Sequence, residues 1–124
     1  VSSNIFPLLD AVSERQAARA TALLSDELAS GSSPQYVVSM LLRHLRLLVE
    51  VRDNMERNAT GAAPSSVHPF VFRKASQQAK QFTGANLQQL YLRLANLDET
   101  MKTGSEDPRA LLQLFVLEAT GAAV

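Results

Sequence analysis

The chain has 124 residues, 46% of them hydrophobic and 19% charged, and its 12 basic and 12 acidic side chains cancel at neutral pH. That composition and size fit one globular domain with a single core and exclude a disordered chain. Neutrality removes any overall field toward nucleic acid or anionic membrane, the absence of cysteine excludes disulfides and thiolate metal sites, and no apolar run reaches the length of a membrane span.

Asn4 is placed to cap a first helix ending at Ala11 or Val12, with Pro7 tolerated in the first turn and Ile5, Leu8, Leu9 and Val12 on one face. Ser13 followed by Gln16 matches a capping box, which predicts a second helix from Glu14 to about Ser30, stopped by Gly31. Its apolar face of Ala17, Ala20, Leu24 and Leu28 is narrow and rich in small residues, suited to close approach to a helix with large side chains. Such a helix is predicted over Pro34–Arg57, with Ser33 as cap and Pro34 at the first position, where no N–H is needed. At 100° per residue its apolar side chains, from Val37 to Met55, cover roughly 220° and leave only a strip with Arg43, Arg46, Glu50 and Asp53. A surface helix needs an apolar stripe of only about 100°, so this one must be covered on two or three sides. It is the expected centre of a bundle, enclosed by the first, second, fourth and fifth helices.

Asn58 to Ser66 reads as a polar loop containing Gly61 and Pro64. A fourth helix is predicted from Pro69, just after His68, to about Phe82, with Val71, Phe72, Ala75, Ala79 and Phe82 on one face and Phe70 pointing away from it. Thr83 caps a fifth, from Gly84 to Thr103, in which Leu87, Leu90, Leu94, Leu97 and Met101 recur at three-and-four spacing before Gly104 ends it. Asp107 and Pro108 open a sixth, running to about Thr120, whose apolar residues point nearly all the way round. Leu114, Phe115 and Leu117 cannot all face one core, so surplus apolar surface is expected there and at Phe70. No strand-like alternation competes, and the class is all-α, a bundle of five to six helices around one long central helix.

Chemistry-bearing residues are sparse. His44 and His68 lack any ligand-spaced partner, no carboxylate shares a helical face with either, and the phosphate-binding G-x-x-x-x-G-K-[ST] pattern is absent. No catalytic, cofactor or metal site is expected, and His44, intruding on the apolar arc, reads as a hydrogen-bonded packing residue. A small hydrolase using either histidine, or an autonomous nucleic-acid-binding domain, is the alternative. Asp98 and Lys102 stand at the favourable i,i+4 spacing for an exposed ion pair. Arg73, Lys74 and Lys80 make a modest basic surface without interleaved aromatics.

Taken in order, several of these segments resemble the C-terminal domain of the bacterial DNA polymerase III delta subunit family. They are Ile5-Phe6 with Leu9-Asp10-Ala11-Val12, Leu41-Leu42-Arg43 with Arg46-Leu47-Leu48, His68-Pro69-Phe70-Val71, and Asp98 followed by Lys102-Thr103-Gly104 and Asp107-Pro108. Leu45 departs from the family's frequent aromatic residue, and the alanine- and serine-rich stretch from Ala59 to Ser66 departs from a short helix usual before the His-Pro-Phe motif. The resemblance implies a non-catalytic collar domain, residues 1–124, that joins the clamp loader ring with gamma/tau and delta-prime subunits. It also implies that this is the C-terminal fragment of a longer AAA+-like subunit, an expectation shared by an opening at Val1 instead of methionine. It implies a cytoplasmic, nucleoid-associated setting in bacterial DNA replication. Primer-template DNA is expected to be touched weakly or only in the assembled complex, with Tyr36, Tyr91, Arg73, Lys74 and Lys80 as candidate contacts. Phe70, Leu114 and Leu117 are the candidate partner-facing residues, chiefly on the fifth and sixth helices.

Overall fold

A computed structural model describes residues 5–57 and 67–121. The expected Asn4 cap and the loop from Asn58 to Ser66, with the stretch where the family's short helix would fall, lie outside the described residues. Six helices follow one another: α1 (Ile5–Ser13), α2 (Ala17–Ala29), α3 (Pro34–Arg57), α4 (Pro69–Ala79), α5 (Gly84–Thr103) and α6 (Pro108–Ala119), with no strand among the described residues.

Helix α3 has the predicted bounds, and Ser33 Oγ accepts the Tyr36 N–H (3.1 Å) at its start. Val37, Val38, Leu41, Leu45, Leu48 and Val51 are fully buried, while Met40, Leu42, Leu47, Val49 and Met55 pack half-buried around them. Its widest packing is against α5 and then α4, on different sides, since those two helices make no extensive contact with each other. Burying this broad apolar arc is what removes most hydrophobic surface from water.

Two expectations are corrected. Ser13 does not cap α2: it is the last residue of α1, and its Oγ donates back to Leu9 O (2.7 Å). The chain reverses at Arg15 in the left-handed region (φ 58°), so α2 starts only at Ala17, with Gln16 before it making no side-chain cap. Nor does α2 enclose the central helix. It packs on α1 and α6, and α6 takes the predicted place of α2 by touching α3, α5, α1 and α2. The surplus of α6 is thereby mostly absorbed: Leu112, Phe115, Val116 and Ala119 are core, Leu111 and Leu117 half-buried, and Leu114 alone of its large apolar side chains is exposed. The face of α4 is also corrected, because Val71 is 42% exposed while Phe72, Ala75, Ala79 and Phe82 are buried.

Candidate functional site

The sequence motifs of the fourth, fifth and sixth helices turn out to be boundary devices. His68 Nδ1 accepts the Phe70 N–H (3.1 Å) at the start of α4, and Pro69 takes the first helical position. Asp107 Oδ1 accepts the Arg109 N–H (3.0 Å) before Pro108 in the same way, and Thr83 Oγ1 accepts the Asn86 N–H (3.0 Å) ahead of Gly84. Gly104 ends α5 in the left-handed conformation (φ 69°), where a side chain would be strained. Asp98 and Lys102 form their ion pair (3.1 Å) at the end of α5, and the carboxylate holds the pKa of the Lys102 ammonium above its ordinary value.

By fixing the first turn of α4, His68 and Pro69 also aim Phe70 outward. It is 63% exposed, and Phe6 of α1 is 67% exposed nearby. Together with Val71, Leu9 and Leu47 they line a groove of about 290 Å³ between α1, α3 and α4. Leu114 borders a smaller cleft of about 170 Å³ between α5 and α6, with Leu97 and Leu111, and Arg93 closes one side by an ion pair with Glu118. Leu92 of α5 is a further exposed leucine. Exposed apolar side chains therefore lie both on the α1/α4 side and on the α5/α6 side of the central helix, and Phe6 and Val71 are members that the sequence did not single out.

Beside the first groove lies a polar network that helical spacing did not reveal. Gln78 is buried on the apolar face of α4; its Nε2 donates to Asp10 Oδ1 (2.8 Å) and Glu14 Oε2 (3.1 Å), and its Oε1 accepts from His44 Nε2 (3.0 Å). Lys74 Nζ donates to Asp10 Oδ2 (2.7 Å). One amide thus ties α1, α3 and α4 together with its polar atoms satisfied. The readable signal was a glutamine three residues after Ala75 and four before Phe82, inside an apolar stripe. Glu27, fully buried among the α2 leucines and accepting the Ser32 hydroxyl, carries the same signal.

The network brings a histidine and a carboxylate to one groove, the arrangement a hydrolase reading requires. Gln78 stands between them, however, so His44 donates to a neutral amide oxygen and Asp10 takes the amide N–H and the Lys74 ammonium. This geometry braces three helices; it does not orient an imidazole as a general base.

Burial lowers the affinity of His44 for a proton below its ordinary value near 6.5, against the raising influence of the Gln78 hydrogen bond and Asp10, with Lys74 adding to the lowering. The unfolded chain therefore takes up a proton near pH 6.5 and the folded chain only at lower pH, so the unfolded state binds more protons in that window. Stability is expected to be level above about pH 6.5 and to fall from there toward the lowered value. Urea midpoints measured from pH 7.5 to 5 should show this decline in the parent, and a smaller decline in His44→Gln. Equal declines in both would remove His44 as its source.

The candidate nucleic-acid contacts do not gather into one surface. Tyr36 is exposed near the start of α3, Tyr91 is half-buried beside Arg46 and Val49, and Lys74 is engaged with Asp10 in the apolar groove. Arg73 is exposed on α4 with no ion pair among the described residues, and Lys80 borders a separate concavity with Arg15 and Arg52. Among the described residues no group of His, Cys, Asp and Glu side chains has the makings of a metal site, and no helix is long and apolar enough to cross a membrane.

The family model described as DNA polymerase III delta subunit, C-terminal domain, matches residues 2–119. DNA polymerase III subunit delta of Bacillus subtilis is 28% identical over 121 residues, which cover 95% of this chain and 35% of that protein. The solved structure of the Bacillus subtilis DNA clamp loader delta protein superposes with a TM-score of 0.81 at 28% identity, over 94% of this chain and 35% of the other. The chain thus spans about a third of the length of these relatives.

Proposed function

This chain belongs to the family formed by the C-terminal domain of the DNA polymerase III delta subunit, and on that premise we propose that it is the collar by which delta is held in the clamp loader ring. The reading makes it a single non-catalytic assembly domain, residues 1–124, of a longer AAA+-like protein working in the bacterial cytoplasm. The observation that carries it is the pair of apolar exposures on different sides of α3: Phe6, Phe70 and Val71 on one, Leu114 on the other. Each member of a heterologous ring meets its two neighbours through two different patches, whereas a self-contained domain has no need of either. Gamma/tau and delta-prime subunits are the partners in this reading. Light scattering on the 124-residue chain, alone and mixed with the corresponding domains of those partners, tests it. Mixed species heavier than any component are expected; unchanged masses at concentrations well above micromolar would overturn the assignment.

A further inference from the structure

The other marked surface is basic, and it is independent of the collar reading. Arg15, Arg52 and Lys80 line one open concavity of about 540 Å³, with Thr83 and Asn86. Arg15 is held there by several restraints. Its backbone sits at φ 58°, a conformation that glycine or asparagine would take at lower cost. Its guanidinium lies over the Phe82 ring, 5.2 Å from the centroid, and its Nη1 donates to Gln81 O (3.3 Å). Gly121 leaves it room, since a Cβ at that position would come within 2.5 Å of Nη2. Those contacts occupy the ring face and one nitrogen and leave the other N–H groups of the fork without an acceptor among the described residues. Neither Arg15 nor Lys80 has an acidic side chain within ion-pair distance among the described residues. The one acid nearby is Glu56, which pairs with Arg52 (3.2 Å) and lies against Gly84 at the start of α5. The start of that helix is therefore already served by a carboxylate, and the vacant positive charge is that of Arg15 and Lys80.

We propose that this concavity binds phosphate groups of a nucleic-acid strand, with Arg15 as the fixed fork, Lys80 as the mobile cation and Arg52 joining when Glu56 releases it. An oriented guanidinium suits the geometry of a phosphate, and a flexible ammonium adds charge without demanding a register. With so few cations and no net charge, binding is weak, Kd on the order of 10⁻⁴ M at low salt, and indifferent to sequence.

The test uses the 124-residue chain with two probes: a fluorescein-labelled 20-nucleotide oligo-dT read by anisotropy over a sodium chloride series, and inorganic phosphate read by amide and arginine Nε–H chemical shifts. Arg15→Gln and Lys80→Gln should each weaken oligonucleotide binding by about 3–10-fold and lower the salt slope by about 0.7, while Arg43→Gln, at an exposed cation elsewhere, should not. Glu56→Gln should tighten binding beyond the effect of Glu99→Gln, which removes the same charge from a distant exposed position. That gain is one a purely structural Arg15 latch would not give, and with Lys80→Gln it keeps the test open if Arg15→Gln unfolds. Losses no larger than that of Arg43→Gln, or equal effects of Glu56→Gln and Glu99→Gln, overturn the site. Inorganic phosphate shifts at Arg15 with no oligonucleotide binding overturn the nucleic-acid source and leave a free-anion site.

Discussion

Leu48→Ala and Leu41→Ala should each lower the stability of the chain by about 2–5 kcal/mol, the usual cost of emptying a leucine-sized space in a packed core. Leu48 is 0% and Leu41 1% exposed, both on the helix that α4 and α5 flank, so collapse of the surroundings onto the void is opposed from several sides. For a domain of this size the loss corresponds to a melting temperature lower by about 8–20 °C. The comparison that gives the result meaning is Leu92→Ala. That leucine is 61% exposed and should change the melting temperature by little. If the buried and exposed truncations proved alike, α3 would not be the organising element.

Charging the exposed apolar sites should abolish partner binding while leaving the helices intact. Phe70→Glu places an acid in the first turn of α4, where the helix dipole favours it, and Leu114→Lys places a base four residues before Glu118. Each change is therefore neutral or mildly favourable within its own helix. In a contact centred on either side chain, a burial that normally contributes about 2 kcal/mol or more is replaced by a desolvated charge, which lowers affinity by more than about 30-fold. Circular dichroism and pull-down by gamma/tau or delta-prime domains, on the same preparations, separate the two effects. Leu117, half-buried in α6, is expected to lose folding together with binding when charged, so it belongs with the core more than with the interface. Retained binding by both Phe70→Glu and Leu114→Lys would remove these two surfaces from the collar.

The sequence alone determined the helix class, the bounds of α3 and α5, the start of α6 and the family. These are consequences of short-range chemistry. A cap such as Ser33, Thr83 or Asp107 acts on an N–H two or three residues away, Pro34 and Pro108 need only their own φ, and Gly104 only its left-handed turn. The breadth of the α3 arc was equally readable, because it depends on helical pitch and side-chain type. Which helix covers which part of that arc was not, since α2 and α6 both offer faces of the right kind and only the joint packing of all six chooses between them. The turn at Arg15 was misread for a related reason: Ser13 and Gln16 have the spacing of a cap, but the left-handed backbone at Arg15 is held by Gln81 and Phe82, far away in sequence. The burial of Gln78 likewise depends on Asp10, Glu14 and His44 converging from elsewhere in the chain, without which a buried amide would be costly. Exposure of Phe6, Phe70 and Val71 on one groove was a tertiary outcome too. Periodicity gives the direction of each side chain about its own axis, whereas the meeting of α1 and α4 beside α3 decides whether those directions converge.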